Sequence, residues 1–492
     1  MRIKHTQKGT VILERPNKLK YTYKTEPFSH QKKALRKLFD LNGSGGLLME
    51  MGTGKTKVVI DWAGIGFYND NVRRVLIIAP LSVLGVWPRQ IRQHSGAPTR
   101  IFRLEGSTSS RATAIRRIQR DPHSNEYVTY LIINYEGTWR SPVRGPSIEE
   151  LLIRWKPDIV VFDESHRLKS PSSKQSRSAF RIGQAARMRM LLTGTAITKS
   201  PLDIFGQFRA MKPEIFGTNW FHFKFTYGIW GGFGRYQLRG YRNLKQLVTK
   251  VRENSYRIKK EQCLDLPPKL FETVPITLPD RIQGIYKKMA EEMIVEIEDT
   301  HATAAIVLVK LLRLSQITSG FIKDVEGQIR ILDSSKLNTC MDLVDDLLEE
   351  DHKVVIFVRF RLDIDRIAQK LGERKIDYAI LSGSVPSRDR DSLVERFHED
   401  SSLKVFISQI QAGSLGIDLT PADVCIFYSL DYNAGNYWQA QDRLHRIGQT
   451  RKVTYYHLVA PRTIDSVVLK VLKEKGSIAE AVLHNPHILL EN

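Results

Sequence analysis

The sequence predicts an α/β chain in which two parallel-sheet layers follow one another, with helical insertions between them. Three observations predict it. Short apolar runs recur as buried parallel strands do, at 46–49, 75–79, 130–133, 159–162 and 190–192, and again at 354–358, 378–381, 405–407, 424–428 and 453–457. Polar, helix-patterned stretches separate the runs. Between the two sets, from roughly 198 to 335, the composition turns aromatic and basic.

A basic N-terminal segment, 1–26, precedes the first layer, which extends over 27–260 and ends in a helical and hairpin insertion at about 198–260. That insertion holds the Gly-rich stretch Trp230-Gly-Gly-Phe-Gly-Arg-Tyr236 and the cations Arg239 and Arg242. It reads either as a hairpin facing nucleic acid or as a hairpin decorating the first layer. The turn Leu266-Pro-Pro-Lys269 lies in a link over 261–275, and a helical insertion follows over 276–335. Within it Ile282, Ile285, Tyr286 and Met289 make one apolar face of a helix predicted for 279–315. The second layer occupies 336–480, before a tail at 481–492.

At 492 residues the chain has room for about two to four domains. Cys263, Cys340 and Cys425 are far apart, which excludes a disulfide framework or a zinc knuckle and suits a cytoplasmic setting. The first twenty residues lack an apolar core, and no stretch has the roughly 18 apolar residues of a membrane span. The 75 Lys and Arg exceed the 53 Asp and Glu, leaving a net charge of +22. That balance points to a polyanionic partner, the alternative being a merely solvated basic surface.

After the apolar run at 46–49 comes Glu50-Met51-Gly52-Thr53-Gly54-Lys55-Thr56, then a helical pattern from Lys57. Glycines in such a strand-to-helix turn let backbone N–H groups curl around a phosphate chain, and the helix N-terminus adds its positive end. Lys55 would reach the β and γ phosphates of ATP, and the Thr56 hydroxyl would ligate Mg²⁺. The first glycine of the G-x-x-x-x-G-K-[ST] pattern is Met49 here. The later run at 159–162 leads directly into Asp163-Glu-Ser-His166, where Asp163 would hold the metal and Glu164 would deprotonate the attacking water. In the second layer, Arg443 and Arg446 stand three apart, so on a helix they share a face and can carry positive charge to the γ-phosphate.

Together these residues resemble the Swi/Snf family of superfamily-two helicase-like ATPases. The similarity starts at Pro27-Phe-Ser-His-Gln-Lys-Lys-Ala34 and continues through Met49–Thr56, Ala79-Pro-Leu-Ser-Val-Leu84 with Trp87, Ile133-Asn-Tyr-Glu136, Asp163–His166 and Leu192-Thr-Gly-Thr-Ala196. In the second layer it includes Phe357, Leu381-Ser-Gly383, Ala412-Gly-Ser-Leu-Gly-Ile-Asp418 and Gln439–Gln449, covering residues from about 27 to 470. Arg257-Ile-Lys-Lys-Glu261 is similar to the family's link between lobes. Ala196 replaces a usual proline, Ile410-Gln411 stands where a hydroxyl residue and a base are common, and Ser414 replaces a glycine.

The resemblance implies two tandem RecA-like P-loop lobes and an ATP- and Mg²⁺-dependent motor on double-stranded DNA, with Gln31 on adenine and Gln439 among the nucleotide contacts. It implies DNA-facing loops at Ser82, Tyr135, Thr193, Thr195, Gly413 and Ser414, gripping phosphates with little sequence specificity. Tyr432 admits two readings, stacking on a base or sugar and ordinary burial as the anchor of the next loop. A chain this short resembles bacterial or phage members, expected to act as a monomer with replication or repair proteins. The alternatives are a strand-separating helicase on DNA or RNA and a non-catalytic nucleic-acid-binding protein.

Overall fold

In the first half of the chain seven strands lie parallel. They are β1 (Gly45–Met49), β2 (Arg74–Ala79), β3 (Thr99–Arg103), β4 (Val128–Asn134), β5 (Ile159–Asp163), β6 (Met188–Leu192) and β9 (Ser255–Ile258), in the spatial order β9-β1-β6-β5-β2-β4-β3. Between β6 and β9 in sequence, β7 (Gly228–Gly231) and β8 (Gln237–Tyr241) pair antiparallel as a separate hairpin. This computed structural model describes all residues except 1–2, 6–10, 14–20, 198–199, 233–236, 300–303, 324–325, 414–416, 475–477, 479–480, 483–484 and 491–492.

The central strands are apolar along their whole length because helices cover both faces of the sheet. Their side chains alternate between two cores: Leu76, Ile78, Leu131, Ile133, Val160 and Phe162 enter one, and Val75, Ile77, Tyr130, Ile132, Ile159 and Val161 enter the other. At about 25 cal/mol per Å² of apolar surface, each fully buried Val, Leu or Ile contributes about 1.5–3 kcal/mol. Helices α1 (Ser29–Asp40), α2 (Lys55–Tyr68) and α3 (Val86–His94) pack residues into the second of these cores, and α4 (Ile204–Met211) and α5 (Trp220–Tyr227) pack residues into the first.

The chain divides into two units, Met1–Leu264 and Asp265–Asn492. The second has its own six-stranded parallel sheet, formed by β10 (Lys269–Pro275), β11 (Val354–Val358), β12 (Tyr378–Leu381), β13 (Val405–Gln409), β14 (Val424–Phe427) and β15 (Val453–Val459) in the order β10-β15-β14-β11-β13-β12. The residues read as a link at 261–275 thus include an edge strand. The single helix expected over 279–315 is two, α6 (Asp280–Asp299) and α7 (Ala304–Thr318), and their Ile282, Tyr286, Leu311 and Leu314 share the core of the second sheet. Helices α8 (Ser335–Glu349) and α9 (Ala434–Leu444) pack into the same core. Among the described residues, no helix is long and apolar enough to cross a membrane.

Candidate nucleotide site and nucleic-acid interface

The turn from β1 into α2 holds Gly52 at φ +75° and Gly54 at φ +82°, a left-handed backbone that glycine adopts without Cβ strain. Lys55 opens α2 and donates from Nζ to the carbonyls of Met49 (2.9 Å) and Glu50 (3.3 Å), while Thr53 Oγ1 donates to Glu50 O at 2.7 Å. The edge strand β9 braces this turn: Glu50 N donates to Ile258 O at 3.1 Å, and Lys260 N donates to the Glu50 carboxylate at 2.8 Å. Gln31 is buried on α1. Its carbonyl accepts from Phe28 N at 2.9 Å and its amide donates to Thr53 O at 3.4 Å, while His30 Nε2 stands 2.8 Å from that same carbonyl. The segment expected to read adenine is therefore fastened to the phosphate turn.

Asp163 ends β5 at the sheet's C-terminal edge, where ligands of open parallel sheets bind. One carboxylate oxygen accepts from Trp87 Nε1 at 2.9 Å and the other from Glu164 N at 3.0 Å; the Asp163 carbonyl accepts from the Tyr135 hydroxyl at 2.8 Å. Burial, then the neighbouring Glu164 carboxylate, push the Asp163 carboxyl above its ordinary range, and Trp87 and the nearby Lys55 charge pull the other way. Glu164 takes φ +48°, an uncommon conformation for a residue with a side chain, and it aims the carboxylate differently from a continuing strand. The donors fit a nucleotide and its metal. The Thr56 hydroxyl and the Asp163 carboxylate are hard oxygen ligands of the kind Mg²⁺ takes alongside phosphate oxygens and water.

Two bridges tie this segment to Thr193-Gly-Thr-Ala196. His166 Nδ1 stands 3.3 Å from the Glu164 carboxylate and 3.3 Å from Thr193 Oγ1. Ser165 Oγ donates to Gln207 Oε1 at 2.9 Å, and the Gln207 amide donates to the carbonyls of Ala196 (2.6 Å) and Asp203 (3.0 Å). Gly194 lies so close to the phosphate turn that a Cβ there would stand 3.2 Å from Met51 N.

In the second unit, the Asn433 side chain caps α9 by accepting from Gly435 N and Asn436 N, and the helix carries Gln439, half-buried, and Arg443. The helix ends at Leu444, so Arg446 does not share a helical face with Arg443 as the spacing predicted. His445 turns aside to meet Pro267 O at 2.7 Å, and Gln449 pins the next turn by donating to Thr420 O, Ala422 O and Leu444 O. Burial opposes the charged form of Asp418, yet Arg446 and the Thr420 hydrogen bonds more than offset it and hold that carboxyl below its usual range. Among the described residues, Arg446 Nε is buried without a hydrogen-bond partner.

The expected DNA-facing residues divide. Thr195 is exposed, but Thr193 is fully buried, and Tyr135 is a buried brace of Asp163 whose ring cannot meet a strand. Gly413 closes a short helical turn, Ile410–Gly413; the side chain of Ser82 and the whole of Ser414 lie outside the described residues. Tyr432 anchors its loop: Arg359 covers its ring at 3.6 Å from the centroid, and its hydroxyl lies 2.7 Å from Ser315 Oγ. Sequence reasoning missed the hydrogen bonds that Trp87 and Gln207 make around Asp163 and Ser165. Trp87 was visible only as part of a family pattern, and a lone amide in the apolar run Ile204–Met211 was the only signal for Gln207.

A family model described as the SNF2-related domain matches residues 30–320, and one described as the helicase conserved C-terminal domain matches 335–448. Curated relatives include the DNA annealing helicase and endonuclease ZRANB3 of Bos taurus, 28% identical over 88% of this chain and 38% of that protein. An uncharacterized ATP-dependent helicase of Mycoplasma genitalium is 27% identical over 92% of this chain and 41% of its own. The chain thus spans about two-fifths of the length of these relatives. The Sulfolobus solfataricus SWI2/SNF2 ATPase core in complex with dsDNA is 21% identical, with a TM-score of 0.43, over 96% of this chain and 98% of that one. From the family models, which together span both units, the chain belongs to the SNF2-related family of helicase-like ATPases.

Proposed function

We propose that this chain hydrolyses ATP to move along double-stranded DNA, in replication, recombination or repair. The observation that carries the reading is the bonded circuit around Asp163 and Glu164, which joins the phosphate turn's neighbours to the loop ending at the exposed Thr195. The backbone N–H groups of Met51–Gly54 and the Lys55 ammonium bind the β and γ phosphates, with Gln31 on adenine. Thr56 and Asp163 would hold Mg²⁺, which when bound neutralises phosphate charge. Glu164 accepts the proton of the attacking water. Arg443 and Arg446 supply the charge that compensates the γ-phosphate during transfer, a contribution worth about 10³–10⁵ in rate. The bridges through His166 and Gln207 make the phosphate grip responsive to hydrolysis.

The test compares ATP hydrolysis stimulated by duplex DNA, single-stranded DNA and RNA, alongside triplex displacement and strand separation. Stimulation by duplex with triplex displacement and no unwinding is expected. Efficient unwinding would replace this reading with a strand-separating helicase, and unimpaired hydrolysis by Lys55→Ala would remove the motor altogether.

A further inference from the structure

Helix α5 is aromatic on both sides. Its inner residues Phe223 and Tyr227 are buried against Phe205 and Phe216, as an anchoring face should be. A surface helix ordinarily turns polar residues outward. Here the outward residues include Phe221, 64% exposed, and Phe225, 40% exposed, on either side of Lys224. The Lys224 ammonium stands 4.8 Å from the Phe221 ring centre, 4.9 Å from that of Phe225 and 4.8 Å from that of Trp230 on β7. The hairpin extends this patch with exposed Ile229 and Leu238, and exposed Arg239 and Arg242 accompany them. From Ile215 to Arg252 the chain contains no Asp or Glu.

Large exposed apolar patches mark binding surfaces, and this one combines bare rings with cations unrelieved by any carboxylate in the segment. Cations alone would suit any polyanion. The rings narrow the choice, because duplex bases are already stacked on one another while unpaired bases offer free π-faces. We propose that α5 and the β7–β8 hairpin form a second nucleic-acid site, separate from the duplex track, that stacks unpaired bases of a single strand on Phe221 and Phe225. Lys224, Arg239 and Arg242 hold the adjoining phosphates.

The experiment uses the full chain and its Phe221→Ala/Phe225→Ala variant, with Phe221→Tyr/Phe225→Tyr retaining the rings. The probes are an oligothymidylate, an abasic strand of the same length and a duplex, followed by fluorescence anisotropy. Each ring removed is expected to weaken oligothymidylate binding about fivefold or more, and the tyrosine variant is expected to bind like the parent. The abasic strand should bind the parent as weakly as oligothymidylate binds the alanine variant, and duplex-stimulated ATP hydrolysis should not change. Cross-linking of 5-iodouracil-substituted strands should map to the peptide containing Phe221 and Phe225. Equal binding of abasic and thymidine strands, or cross-links elsewhere, overturns the proposal, as does indifference to the alanine substitutions, which would make the patch a protein-docking face. Loss of duplex-stimulated hydrolysis in the alanine variant also overturns it, by placing the rings on the duplex track.

Discussion

Trp87 gives Asp163 one of its two carboxylate hydrogen bonds, so Trp87→Phe keeps a ring of similar bulk and removes only the donor. A hydrogen bond to a charged group is worth about 1.5–3 kcal/mol, and its loss favours the protonated carboxyl. We expect the acid limb of the hydrolysis profile to move to higher pH and the Mg²⁺ requirement to rise about tenfold; an unshifted pH profile would show that Trp87 only packs. Asp363, in the second unit, makes a separate pH argument. It is fully buried beside Ser429 Oγ at 2.8 Å, and burial raises its carboxyl to about 7. A folded-state value above the unfolded one stabilises the protein while the group stays protonated, and that contribution is lost as pH rises from about 4 towards 7. Asp363→Asn should therefore flatten the dependence of Tm on pH, and parallel melting profiles for variant and parent from pH 5 to 8 would contradict it.

Among the elements, α4 is set by Gly206 and Gln207. A Cβ at Gly206 would lie 2.0 Å from the Leu168 carbonyl, on the turn that follows Asp163 and Glu164. Gly206→Ala must push helix and turn apart, at a cost of about 1–3 kcal/mol in thermal or denaturant unfolding. Gln207→Leu keeps the bulk but removes the partners of Ser165 and Ala196. Basal hydrolysis should fall less than DNA-stimulated hydrolysis, and an equal loss of both would mean that Gln207 transmits nothing. The Gln207 bond to the Ala196 carbonyl also secures the turn after Thr195, a contact between residues eleven apart that the local sequence did not disclose. Nine of the ten legible strands lie inside their sheets, where burial on both faces writes a continuous apolar run, as at Val354–Val358; the tenth, Tyr378–Leu381, is an edge strand in which Ala379 and Leu381 are still buried. Thr99–Arg103, Ser255–Ile258 and Lys269–Pro275, also edge strands, were not, because exposed polar residues such as Arg100, Arg257 and Glu272 interrupt their apolar runs; Pro275, with no N–H to donate, is tolerated at such an edge. The strand-to-helix turn before Lys55 and the strand that ends at Asp163 were readable from residue type and spacing alone. The end of α9 before Arg446 depends on His445 and Gln449 finding partners far away in sequence, which no local pattern records.

For the whole molecule, the excess of 75 cations over 53 anions favours a polyanion, and the number of phosphates neutralised sets how affinity responds to salt. If about 6–10 phosphates are neutralised, duplex affinity should fall by about 10³–10⁵ between 50 and 200 mM salt, largely regardless of sequence. A binding titration with a shallow salt slope and strong sequence preference would point instead to reading of base edges. The order of strands in the first sheet also bears on how the molecule is made. β1, which launches the phosphate turn, is flanked by β6 and β9, whose residues begin at Met188 and Ser255. At 5–20 residues per second, the second of these neighbours leaves the ribosome about 10–40 s after β1 itself. Until then Gly45–Met49 is an open apolar edge in need of protection, and the turn it launches is braced only when the first unit is nearly complete.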